Sequence, residues 1–267
     1  MPAPYAEGPG DFAIGLAAIE AADWLEGGEA DPAARKDPLL AAHPALVWGE
    51  VAGSRAGQAE VLAMVRAAGV AAPDDGRPPL LTAARAVADD LCLMEKRQGE
   101  WRLTAVSLSA GSFFTAEDAI GKSLGELHAP VPGFAARFQK RVERIFDGLR
   151  PGLVLQRRNW SVLNTDALHT PDPAPYRARI GEIRPDEAAE KVFVRMERQT
   201  LRRLPDTGGV LFTIRIWRHP LAALDADPAR RRAFAVAWRG ATDDYRAYKK
   251  LALFDTLVES FLRARGE

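Results

Sequence analysis

The sequence predicts an α+β protein: an antiparallel sheet with helices on one face, and helical extensions at both ends. Three observations predict it. Residues 91–108 hold two short apolar runs joined by Arg97-Gln98-Gly99-Glu100, a hairpin signal. Three further strand candidates follow at 153–163, 191–198 and 210–217. Helical periodicity separates the two sets and fills both ends of the chain.

Taken in order, residues 11–26 place Phe12, Leu16, Ile19 and Trp24 at helical spacing, and Gly27-Gly28 ends the run. Residues 58–68 and 80–90 read as short amphipathic helices between Pro- and Gly-containing connections. After the hairpin, Thr115 followed by Glu117 and Asp118 is a helix-start signal, because a hydroxyl accepts from the first turn and acids favour its positive end. Residues 134–149 put Phe134, Phe138, Val142, Ile145 and Leu149 on one stripe with basic residues opposite. Thr207-Gly208-Gly209 introduces the last strand, and residues 233–238 and 243–264 close the chain as helices. The expected organisation is a helical extension at 1–90, a sheet core at 91–218 and terminal helices at 219–267.

Composition narrows the function. The chain has 267 residues, 36 Lys+Arg against 36 Asp+Glu, and one Cys. That balance argues against the broad basic face that nucleic-acid binding requires. One thiol cannot build a disulfide, a redox pair, a four-thiolate zinc site or an iron–sulfur cluster. Cys92 sits in an apolar run and reads as a buried, inert thiol. No apolar run is long enough to span a bilayer, and Met1–Glu7 lacks the pattern of a secretory signal, so no membrane contact and a cytoplasmic location are expected. Phosphate-loop and dinucleotide fingerprints are absent, so nucleotide-borne electrons would come from another chain.

The strand–strand–helix–helix–strand–strand–strand order looks like a PAS domain. Four separated strings point further: Asp89-Asp90-Leu91-Cys92-Leu93-Met94-Glu95-Lys96-Arg97, His128-Ala129-Pro130-Val131-Pro132-Gly133-Phe134, Arg157-Arg158-Asn159-Trp160-Ser161, and Arg195-Met196-Glu197-Arg198-Gln199-Thr200-Leu201-Arg202-Arg203-Leu204-Pro205. In this order, with Ala22-Asp23-Trp24-Leu25 and Leu211-Phe212-Thr213-Ile214-Arg215, they resemble the haem-dependent oxidative N-demethylase family, the haem-bearing alpha subunit of an amine monooxygenase. The resemblance implies a PAS-like domain that binds haem b and, with dioxygen, oxidises an N-methyl group of a small secondary or tertiary amine to formaldehyde. It implies electrons from NADPH through flavin and iron–sulfur partner chains acting as reductase subunits. Where relatives carry a Phe-Pro-Ser turn after the second strand, this chain has Ser109-Ala110-Gly111-Ser112-Phe113.

Haem iron needs an axial ligand, and imidazole is a common one. His128 is preferred because Pro130 and Pro132 stiffen the segment carrying its ring; a helix-capping His is the competing reading. His169, in a polar loop, is the rival ligand; His43 and His219 precede prolines outside the motifs. Arg157 and Arg158 face opposite sides of a strand, and Arg157 is expected to stabilise negative charge on dioxygen. Asn159 and Trp160 join it as expected cofactor neighbours, Trp160 reading also as core. Glu197 is expected to pair with a protonated amine or relay a proton, against an ion pair with Arg195 or Arg198. Arg198 and Arg202 are expected to hold haem propionates, against a solvated sheet edge. The competing functions are a haem-binding PAS sensor or carrier without catalysis, and a haem-free relative that binds another small molecule.

Overall fold

Seven strands are present among the described residues: Ala17–Ile19 (β1), Trp48–Glu50 (β2), Asp90–Arg97 (β3), Glu100–Ser107 (β4), Val154–Leu163 (β5), Phe193–Arg203 (β6) and Val210–Pro220 (β7). They form one antiparallel sheet in the order β1-β5-β6-β7-β3-β4-β2. This structure, a computed structural model, describes the whole chain except Met1, Pro2, Pro9 and Phe12. The five expected strands are all there, so the α+β, PAS-like expectation holds. Its two additions, β1 and β2, are three-residue edge strands.

The β3–β4 hairpin closes on Gln98 (φ 54°) and Gly99 (φ 87°), with Arg97 opposite Glu100. Two successive positive φ values are what a two-residue turn needs to match the right-handed twist of its strands. Glutamine adopts that conformation reluctantly, whereas asparagine is enriched there. Gln98→Asn is therefore expected to raise stability by about 0.5 kcal/mol, read as a thermal midpoint roughly 1–2 °C higher.

Two expected helices are corrected. Residues 11–26 hold β1 and a short 3-10 turn at Ala21–Asp23; Phe12 lies outside the described residues. β1 is fixed by pairing with β5, Ala17 opposite Gln156 and Ile19 opposite Val154, a long-range contact that overrides local periodicity. Residues 243–264 are not one helix. Lys250 adopts the left-handed region (φ 55°) and splits them into Asp243–Lys249, a 3-10 turn Leu251–Phe254 and Asp255–Arg263. The break lets Leu251 and Phe254 enter the core beside Leu257, Val258, Phe261 and Leu262. Residues 134–149 are helical but begin with a π-helical turn, Ala135–Gln139, before Lys140–Gly148.

The chain folds as two compact units, one of Ile14–Arg157 with Arg198–Arg215, the other of Met1–Ala13, Arg158–Glu197 and Ile216–Glu267. In the first, helices Arg55–Ala67 and Pro79–Ala86 bury Val61, Leu62, Val65 and Leu80 against Leu91, Leu93, Ala105 and Leu211 of the sheet. In the second, helices Pro228–Gly240 and Asp255–Arg263 bury Phe234, Trp238, Phe261 and Leu262 on Trp160, Val162, Val194 and Met196. Burial of each such side chain contributes about 1.5–3 kcal/mol. Strand alternation then decides the polar positions: with Val194 and Met196 in the core, Arg195 and Glu197 must face the other side of β6.

Candidate haem-binding and polar sites

In the first unit, His128 ends the short helix Leu124–His128. A capping box fixes its start: Ser123 Oγ accepts from Glu126 N at 3.3 Å, and Ser123 N donates to Glu126 Oε2 at 2.7 Å. The ring is held on two sides. Its Nδ1–H donates to the Leu124 carbonyl at 2.8 Å, and its plane stacks on buried Phe134 at 4.3 Å and 10°. With Nδ1 the donor, the lone pair of the neutral ring is at Nε2. Burial lowers the pKa of His128, the hydrogen bond to Leu124 opposes this, and the charge of Arg157 lowers it further, so the neutral form is favoured.

The segment behind the ring is a chain of turns. Val131 N donates to the His128 carbonyl at 2.9 Å and Phe134 N to the Val131 carbonyl at 3.1 Å. Gly133 has φ 69°, which a side chain would resist, and Pro130 is exposed within these turns. The proline-stiffened platform is thus a set of hydrogen-bonded turns as much as two fixed φ angles. Arg157, on β5, is half-buried, and its Nε has no partner among the described residues.

Arg198 is more committed than its sequence suggests. It is 2% exposed, and it donates to the carbonyls of Trp24 (2.8 Å) and Asp23 and to Gln156 Oε1, with Glu26 at 3.3 Å. It anchors the Asp23–Trp24 segment, so its donors face protein acceptors; the solvated-edge reading fails here because that segment covers the strand. Arg202 lies half-buried over the Trp24 ring at 4.2 Å. Trp24 in turn donates from Nε1 to Thr200 Oγ1 at 3.1 Å.

The same unit contains a buried charge cluster that sequence reasoning missed. Lys36 Nζ donates to the carbonyls of Ala84 (2.8 Å) and Asp89 (2.6 Å). Burial pushes its pKa down to about 8, against the pull of Asp90. Asp89 is 1% exposed and neither carboxylate oxygen has a partner among the described residues. Burial pushes it up to about 6 although Lys36, Arg215 and Arg198 oppose the rise. Asp90 instead accepts from Ser109 N and Oγ, both 2.7 Å, and from Ala110 N at 2.8 Å, and so shapes the turn that departs from the family string. Cys92 is buried beside it; burial and then Asp90 raise its thiol pKa, which keeps it unreactive.

In the second unit, Trp160 is core: its ring meets Tyr5 at 6.4 Å, Phe234 at 5.7 Å and Tyr245 at 6.2 Å. Asn159 Oδ1 accepts from Tyr245 Oη at 3.0 Å and from Trp160 N at 2.8 Å, while Tyr245 also bonds the Trp160 carbonyl. Gly10 lies so close that a Cβ there would stand 2.5 Å from the Tyr245 ring, which explains the glycine. Glu197 pairs with Arg195 Nη1, the ion pair anticipated as the structural alternative. Arg218, which sequence reasoning did not single out, donates to the carbonyls of Thr165 (3.5 Å), Ala167 and Leu168 (3.3 Å) and to Thr170 Oγ1 (3.2 Å). It thereby holds the loop that carries half-buried His169. His128 and Arg157 thus share one unit, whereas Asn159, Trp160, Glu197 and His169 belong to the other.

The antiparallel α+β sheet thus carries, at the end of a short helix, a neutral imidazole stacked on Phe134 with its proton held on Nδ1. Residues 33–258, most of the chain, match the family described as haem-dependent oxidative N-demethylase, alpha subunit-like, and the chain belongs to that family. Among the described residues no helix is long and apolar enough to cross a membrane, and no three His, Cys, Asp or Glu side chains gather to hold a bare metal ion.

Proposed function

We propose that this chain is the haem b-bearing subunit of an oxygenase that removes an N-methyl group from a small secondary or tertiary amine, releasing formaldehyde. Electrons would reach it from NADPH through separate flavin and iron–sulfur chains, since this sequence has neither a nucleotide fingerprint nor the thiolates for a cluster. Family membership supports the cofactor and the reaction class. The observation that carries the reading is the ring of His128: neutral, stacked on Phe134, and with its proton fixed on Nδ1 by the Leu124 carbonyl. A carbonyl that accepts from Nδ1–H in this way sets the tautomer and would leave Nε2 to bind iron.

Bound haem would supply the iron that activates dioxygen toward an N-methyl carbon. Of this chain's own groups, His128 would hold the cofactor. Arg157, whose Nε–H has no partner among the described residues, would face negative charge there. Arg202 remains a candidate for a propionate, whereas Arg198 is already engaged with Asp23, Trp24 and Gln156. Glu197 would hold a proton or the substrate ammonium on the polar face of β6.

The test is spectroscopic. Reconstituted with haemin, the chain is expected to give a Soret band at one haem per chain. His128→Ala is expected to lose more than nine-tenths of that haem with unchanged far-ultraviolet circular dichroism, while His169→Ala retains it. A His128→Ala protein that keeps its haem and its axial-ligand spectrum overturns the assignment.

A further inference from the structure

The plane of the His128 ring is not fixed by its own torsions. The χ2 bond of histidine joins an sp³ to an sp² carbon, and its preferences are broad. The hydrogen bond from Nδ1 to the Leu124 carbonyl, 2.8 Å long, directs one atom, yet the ring can still rock about that contact. Phe134 supplies the second restraint, a face: its buried ring lies 4.3 Å from the imidazole at 10°. A point contact and a parallel face together leave the imidazole one orientation.

The chain is shaped to put that face there. The turns closed by Val131 N on the His128 carbonyl and by Phe134 N on the Val131 carbonyl bring the backbone round. Gly133, at φ 69°, completes the reversal, and a Cβ on it would stand 3.1 Å from Arg137 Cδ. Directly after Phe134 comes the π-helical turn Ala135–Gln139, a rare element that recurs at functional sites. It sets Phe138 against Phe134 at 6.4 Å, so the bracing ring is itself braced. It also seats Gln139 on the helix of His128, where a Cβ at Gly125 would stand 3.1 Å from Gln139 Nε2. Helix and π turn therefore pack as one block.

We propose that Phe134 is a positioning residue for His128: its flat face fixes the imidazole plane and so holds Nε2 in one direction. This rests on the reading above, in which Nε2 binds the haem iron. What the site requires at this position is a flat ring, not merely apolar volume.

Substitutions of differing shape test it. Phe134→Leu and Phe134→Met keep an apolar side chain without a flat face; Phe134→Tyr and Phe134→Trp keep the face, and two of each kind guard against one failing to fold. In the haem-free chain, nitrogen NMR of the His128 ring, assigned by its loss in His128→Gln, is expected to show only the Nδ1–H tautomer in wild type. A mixture of tautomers is expected in the Leu and Met variants, and the single form again in at least one flat variant. With haemin, the Leu and Met variants are expected to bind at least tenfold more weakly. Their ferric cyanide adducts are expected to show more than one set of low-spin g values, against one set in wild type. At least one flat variant is expected to recover both properties. The proposal is overturned if the Leu and Met variants stay within twofold of wild type in haemin affinity with one set of g values. It is overturned equally if both flat variants lose as much affinity as they do, since volume alone then accounts for the loss. Should wild type take up no haemin, or His128→Ala keep it, the reading above fails, while the haem-free chain still decides Phe134. A tautomer mixture confined to the Leu and Met variants supports the positioning role, and a single tautomer in every variant overturns it.

Discussion

Replacing Lys36 by methionine is expected to lower the stability of the chain by about 3–5 kcal/mol near pH 7.5, and by clearly less at pH 5. The side chain fits without its charge, but the substitution leaves the carbonyls of Ala84 and Asp89 without their donor. It also withdraws the cation nearest in effect to the buried Asp89 carboxylate, which Arg215 and Arg198 then support against burial and Asp90. Arg35 does not replace it, because its guanidinium is bound to Glu29, Ser109 and the Ala88 carbonyl. The pH contrast follows from linkage. Asp89 titrates at about 6 in the fold against an ordinary 3.8, so between those values the folded state holds the proton more tightly and stability falls as pH rises. Lys36 titrates at about 8 against 10.5, so between these values the unfolded state holds more protons and stability rises with pH. At pH 5 Asp89 is mostly neutral, so the variant loses the two hydrogen bonds and the attraction of Lys36 to Asp90, but little of its pairing with Asp89. Urea unfolding at both pH values measures this. Equal losses at pH 5 and 7.5 would show that Lys36 acts only through its two carbonyl contacts.

What the sequence made legible, and what it hid, divides along burial. β3 and β4 were readable because alternation and a Gln-Gly turn are local signals, and Thr115 because its hydroxyl caps its own helix, accepting from Asp118 N at 3.2 Å. His128 was readable as a helix-end imidazole, and it has that position. β1 was not, since three residues at an edge owe their shape to β5, far along the chain. The charged residues were the least readable. An arginine on a strand looks the same in sequence whether water or protein covers it. Arg198 is covered by a segment 174 residues away, and only that contact turns a possible propionate anchor into a fixed strut. Lys36 and Arg218 escaped notice for the same reason: each owes its role to burial among distant partners rather than to its neighbours in sequence.

Glu197→Gln is expected to reduce N-demethylation at least a hundredfold, toward the roughly 10²–10⁴-fold range lost with a positioned acid or base, while leaving haem absorbance intact. Glutamine has the shape of glutamate, and its carbonyl can still accept from Arg195, so β6 and its core side, Val194 and Met196, have no reason to move. What disappears is the negative charge, and with it the ability to hold a proton or a substrate ammonium. The same change has an opposite effect next door. Without the Glu197 charge, Arg195 is a buried cation with a neutral acceptor on Nη1, and it attracts an anion more strongly than before. Affinity for free acetate, which has no ammonium to lose a partner, is therefore expected to rise several-fold in the variant that loses turnover. A purely structural ion pair predicts neither result in this combination: it gives lower stability, near-normal turnover per folded molecule and unchanged carboxylate affinity. Turnover and carboxylate affinity moving in opposite directions in one isosteric variant would separate the charge of Glu197 from its place in the fold.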